Sequence, residues 1–85
     1  MFTVYVLQSI HHDKLYTGFT ENIDRRMSEH NTGKSKFTSA FRPWKIIYTE
    51  QVNTREGARK LEKYYKTAAG KRRLKHLIVG GSLPD

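Results

Sequence analysis

Tyr5, Tyr16, Arg26, His30 and Glu62 are the side chains whose types and spacing could do chemistry together. A guanidinium, an imidazole, a carboxylate and two phenols are groups that bind anions and carry protons. Arg26 and His30 stand with Ile23 and Met27 at the i, i+3, i+4, i+7 positions of one helical stripe, where a core-facing helix usually keeps leucines. A second stripe runs Ala58, Leu61, Glu62, Tyr65, and its third member is again ionisable. Burying a charge without a partner costs several kcal/mol, so such residues are normally paired or line a cleft. The plainer account is a structural ion pair between Arg26 and Glu62 at the edge of the core. Against it stands the excess of candidates, since an antiparallel hairpin would also bring Tyr5 and Tyr16 onto the same face.

The elements that must position these groups can be read in order. Phe2 to Leu7 is β-branched and aromatic and predicts a strand, with Phe2, Val4 and Val6 on one face and Thr3, Tyr5 and Leu7 on the other. The polar connection 9–14 is hairpin-sized, and Leu15 to Phe19 is the return strand. Gly18 marks a place where the backbone bends or a ligand comes close. Thr20 or Asn22 can cap a helix running through His30, with Asp24 in its first turn and Gly33 as its stop. A loop follows from Gly33 to Pro43, and Trp44 to Gln51 is a third strand. Asn53 or Thr54 then caps a longer helix to about Thr67. Gly70 ends or interrupts that helix, and residues 71–78 add a short amphipathic turn or two with Leu74, Leu77 and Ile78 inward. The expected architecture is α+β, a three-stranded antiparallel sheet flanked by helices in the order β-β-α-β-α-α. One domain spans residues 1–79, and 80–85 form a tail.

Composition narrows the partners. The chain has 85 residues with 16 Lys plus Arg against 8 Asp plus Glu, a formal charge of +8, which on so small a body points to polyanions. It contains no cysteine, which excludes a disulfide framework and a cysteine-based zinc site. No apolar stretch approaches the roughly 20 residues needed to cross a bilayer, and Met1-Phe2-Thr3 leads straight into a strand, so a soluble cytoplasmic protein is expected. Lys34, Lys36 and Arg42 alternate with Phe37 and Phe41 in the 33–43 loop. That pattern suits a phosphate backbone with stacked bases, and equally suits aromatics folded back onto the core. Lys66, Lys71, Arg72 and Arg73 extend the candidate nucleic-acid surface.

Thr3-Val4-Tyr5, then Tyr16-Thr17-Gly18, an arginine and a histidine four apart in the next helix and a glutamate in a later one form an ordered set. With Arg25-Arg26, Glu29-His30-Asn31, Gly33-Lys34, Phe37-Thr38, Arg42-Pro43 and the run from Ala58 through Glu62 to Lys66, it resembles the GIY-YIG nuclease superfamily. The likeness is to the small stand-alone bacterial members related to the N-terminal domain of the excision-repair C subunit, and it covers about residues 2–78.

The resemblance implies a phosphodiesterase. It gives Tyr5 and Tyr16 the places of the two motif tyrosines, Arg26 that of the helix arginine, His30 that of the residue one turn later, and Glu62 that of a single carboxylate binding Mg²⁺ or Mn²⁺. Tyr5 is then expected as the general base and Tyr16 as a phosphate or water ligand. Since a tyrosine has a pKa of about 10, Tyr5 would need positive charge from Arg26, the metal or His30. Two departures stand out. The first triplet keeps only its tyrosine, and no asparagine follows Glu62, where many active members carry one. The implied function is a metal-dependent endonuclease of low sequence specificity, acting on DNA in preference to RNA, with a protein partner supplying any specificity. The alternative is a nucleic-acid-binding module of the same fold with little or no cleavage.

Overall fold

Alternation in the first strand organises the molecule. In the computed structural model, which describes residues 1–77, β1 (Phe2–Ser9) is the central strand of a three-stranded antiparallel sheet, with β2 (Leu15–Thr20) on one side and β3 (Trp44–Val52) on the other. Val4 and Val6 face one core with Ala58, Tyr65 and Leu74, while Tyr5 and Leu7 face another with Trp44. Each of these large apolar side chains contributes about 1.5–3 kcal/mol by leaving water. A bulge between Val6 and Leu7 shifts the β3 register, so that Val6 opposes Tyr48 and Leu7 opposes Ile46.

Helix α1 (Ile23–Thr32) lays Ile23 and Met27 on the Tyr5 face. It starts where Asn22 Oδ1 accepts from the Arg25 N–H, a cap worth about 1 kcal/mol. It stops at Gly33, whose φ of 86° is the left-handed geometry that favours glycine. The loop after it carries a short 3₁₀ turn (Ser39–Phe41). Helices α2 (Arg55–Tyr65) and α3 (Ala68–Leu77) cover the opposite face through Ala58, Leu61, Tyr65, Leu74 and Leu77. The architecture is therefore α+β, and β2 is an edge strand with helices on both faces of the sheet.

Gly70 departs from its expected role. It neither ends α2 nor interrupts it: α2 stops at Tyr65, and Gly70 lies buried inside α3. Thr67 makes the break, donating its hydroxyl to the Tyr64 carbonyl and accepting from the Gly70 N–H. Gly70 is needed for approach, because a Cβ there would fall on the Tyr64 carbonyl oxygen. Ile78, the domain end at 79 and the tail 80–85 lie outside the described residues.

Candidate active site

The hairpin register places Tyr5 directly opposite Gly18 and Leu7 opposite Tyr16, so both tyrosines project from one face. The absence of a side chain at Gly18 makes room for Tyr5: a Cβ there would sit 2.7 Å from Tyr5 Oη and 3.1 Å from a Tyr16 ring carbon. The two rings are 6.3 Å apart, and the His30 ring closes the group at 5.8 Å from Tyr5 and 5.0 Å from Tyr16.

His30 and Arg26 share a stripe of α1 but not an environment. The His30 ring is fully buried, with Nε2 hydrogen-bonded to Tyr5 Oη at 2.9 Å and Nδ1 to Thr38 Oγ1 at 2.7 Å. Burial, with Arg26 adding to it, pushes the imidazole down to about 4, so it is neutral at physiological pH. His30, one of three sources named for positive charge near Tyr5, therefore supplies none. Arg26 is half-buried at the sheet edge, where Glu29 Oε1 accepts from Nη1 at 2.8 Å. The ion pair with Glu62, the plainer of the two accounts above, does not form. Glu29, one turn along the same helix, is the nearer partner, and Glu62 instead meets Lys66 at 3.7 Å on its own helix. The Glu29 carboxylate first, and then the hydroxyls of Tyr5 and Tyr16 with which Arg26 also interacts, hold its guanidinium above its already high ordinary value.

Tyr5 is 1% exposed, and burial pushes its hydroxyl up to about 12 despite the lowering influence of Arg26. Glu62, reaching this corner from α2, raises it further. A proton passing from Tyr5 to His30 would move uphill, from a phenol that burial holds protonated to an imidazole that burial holds neutral. Tyr16, by contrast, is only partly buried, with the Lys66 ammonium 5.9 Å from its ring centre. It lines an open cleft of about 400 Å³ along the β2 edge with Phe37, Lys66 and Lys71. A second, polar cleft on the same edge is bounded by Arg25, Arg26, Glu29 and Arg55.

Among the described residues no three or more His, Cys, Asp or Glu side chains gather to hold a metal. Glu62 is the carboxylate available, about one-fifth exposed and held by Lys66 only at 3.7 Å.

The remaining basic candidates divide. Lys66 and Lys71 line the cleft beside Tyr16. Lys34, Lys36, Arg42, Arg72 and Arg73 are exposed, and the Arg42 guanidinium packs over Gly33. Thr38, part of the Phe37-Thr38 motif but not a candidate site residue, is fully buried and ties the 33–43 loop to His30 and, through its carbonyl, to the Trp44 indole N–H at 2.9 Å. A lone threonine in a polar loop carries no periodic signal; the bonds to His30 and Trp44 that fix it are tertiary. Glu29, named only within the Glu29-His30-Asn31 motif, is the partner of Arg26, a pairing that its i, i+3 spacing could have suggested.

Fold and site together define a small nuclease-type α+β domain, and residues 1–75 match the family model described as the GIY-YIG catalytic domain. The chain belongs to the GIY-YIG family. Its relatives are small bacterial proteins of the UPF0213 group. The one from Syntrophus aciditrophicus is 44% identical over 66 residues, 74% of each chain. One from Bacillus licheniformis is 38% identical over 74 residues, covering 86% of this chain and 75% of that one. The solution structure of a UPF0213 protein from Bacillus halodurans superposes with a TM-score of 0.54 at 27% identity, covering 96% of this chain and 88% of that one. No helix among the described residues is long and apolar enough to cross a membrane.

Proposed function

We propose that the protein is a metal-dependent endonuclease that hydrolyses phosphodiester bonds in DNA with little sequence preference, leaving selectivity to a protein partner. The observation that carries this reading is that Arg26 of α1 interacts with the hydroxyls of both hairpin tyrosines, with the Glu62 charge from α2 felt at Tyr5, beside two open clefts of which Tyr16 lines one and Arg26 the other. Arg26 would bind a non-bridging oxygen of the scissile phosphate and stabilise the charge that grows there. Mg²⁺ or Mn²⁺ on Glu62 supplies Lewis-acid stabilisation of the phosphoryl oxygens when bound. The buried Tyr5 hydroxyl, locked to His30, is a poor base, and its bond to His30 suits it to hold the neighbouring groups in place. Tyr16 Oη, open to the cleft and beside Arg26 and Lys66, is the hydroxyl better placed to orient the attacking water and take its proton. The base is thus Tyr16 in place of the Tyr5 that the resemblance implies, and Tyr5 becomes a positioning group.

Two observations favour a second reading, binding without cleavage: Lys66 competes for Glu62, and no asparagine follows Glu62 to support a metal. Incubation with single-stranded, duplex and branched DNA in Mg²⁺, Mn²⁺ or EDTA, comparing wild type with Glu62→Ala, separates the two. The first reading expects metal-dependent products that vanish with EDTA and in the variant. Products that survive either treatment refute the site, and salt-sensitive binding without products supports the second reading.

A further inference from the structure

The cleft beside Tyr16 is larger than one phosphate requires, and its lining mixes apolar and aromatic side chains with cations. Leu15 and Leu74 form an apolar floor, Lys66 and Lys71 stand at its rim, and Phe37 closes one side with its ring 5.9 Å from that of Tyr16. At about 400 Å³ it falls in the range of small-molecule sites. Phe37 is 73% exposed, an apolar ring left in water. Its loop does not put it there by looseness. The next residue, Thr38, is fully buried and bonded to His30 and Trp44, and Ser39 Oγ donates to the Lys36 carbonyl across Phe37. The fold therefore presents one aromatic face toward the cleft, next to cations, on a molecule of charge +8.

We propose that this cleft is a subsite for one unpaired nucleobase adjoining the reacting phosphate, with Phe37 stacking on the base and Lys66 and Lys71 contacting the flanking phosphates. The inference rests on the nuclease reading for what the neighbouring site does, and it deepens that reading by naming the substrate class: a strand whose base is free to leave its stack. A base held inside a duplex cannot reach Phe37 without being extruded, which costs unstacking and unpairing energy. Stacking on an aromatic side chain is tolerant of base identity, which accords with low sequence preference.

Fluorescence anisotropy in EDTA, with the full chain and labelled short oligo-dT, oligo-rU, an abasic strand of equal length and a blunt duplex, tests the subsite without cleavage. Phe37→Ala is expected to weaken binding of whichever of oligo-dT and oligo-rU binds more tightly by about 5- to 100-fold. Phe37→Trp is expected to restore it, and the abasic strand to bind wild type as weakly as oligo-dT binds Phe37→Ala. Lys71→Ala should weaken all strands and flatten the salt dependence. Equal affinity of wild type and Phe37→Ala, or of oligo-dT and the abasic strand, overturns the inference. A dimer by sedimentation that Phe37→Ala dissociates, with oligonucleotide affinity unchanged, overturns it in favour of a second copy of the chain. Parallel digestion in Mg²⁺ keeps the two readings apart. Cleavage with Phe37-independent binding sinks only the subsite, while Phe37-dependent binding with no cleavage sinks only the nuclease reading.

Discussion

Replacing His30 by glutamine should remove a specific pH dependence from the stability of the protein. His30 has an ordinary value near 6.5 and lies at about 4 in the fold, lowered by burial first and Arg26 second, with Glu29 opposing. A depressed histidine binds its proton more readily when unfolded, so its neutral form favours folding above about pH 6.5. That advantage is lost as pH falls from about 6.5 toward about 4. At pH 5 the unfolded imidazole is almost fully protonated while the folded one is almost fully neutral. The difference amounts to at most about 2 kcal/mol relative to neutral pH, since solvent screening can only reduce it. Urea unfolding of wild type and His30→Gln at intervals from about pH 7.5 to 5 measures it. The variant is less stable throughout because Tyr5 and Thr38 lose their partner, yet its stability should fall less steeply across this window. Parallel slopes for the two proteins would show that His30 is not held neutral and would remove the basis for treating Tyr5 as a locked, non-basic hydroxyl. Glu29, whose carboxyl Arg26 holds below its usual range, adds its own loss only at lower pH.

Two glycine substitutions test close packing at different distances from the site. Gly18→Ala should push Tyr5 off His30 and cost about 1–3 kcal/mol, read by denaturant melts, with cleavage falling further than stability accounts for. Gly70→Ala should cost at least as much, because its neighbour is the Tyr64 backbone and cannot swing away, while nucleic-acid affinity per folded molecule stays unchanged.

Strand alternation and helix caps were legible because they are local. Phe2, Val4 and Val6 against Tyr5 and Leu7, the Asn22 cap and the Gly33 stop are each decided within a few residues, and the structure follows them. The strand limits differ only by a residue or so at the ends. What was not legible depends on partners brought by the fold. Periodicity put Arg26 and His30 on one stripe, but only the 33–43 loop, folding back through Thr38, buries one and leaves the other at the edge. It could show that Glu62 and Arg26 were anomalous, not that each would find its partner on its own helix. Gly70 misled because a glycine near a helix end reads as a stop, whereas here it answers a backbone crossing. The loop aromatics, left open between core and solvent, divided: Phe41 packs against Trp44 while Phe37 stays exposed.

The central claim is that the edge corner formed by Arg26, Tyr16 and Glu62 stabilises a phosphodiester transition state rather than simply binding nucleic acid. Single-turnover cleavage of a short DNA strand in Mg²⁺ by wild type, Arg26→Ala and Tyr16→Phe, with affinity for the same strand measured in EDTA, tests it most directly. The account predicts a rate about 100-fold or more lower in each variant, with affinity changed by no more than about 10-fold. Rates within a few-fold of wild type, or losses of rate matched by equal losses of affinity, would contradict it.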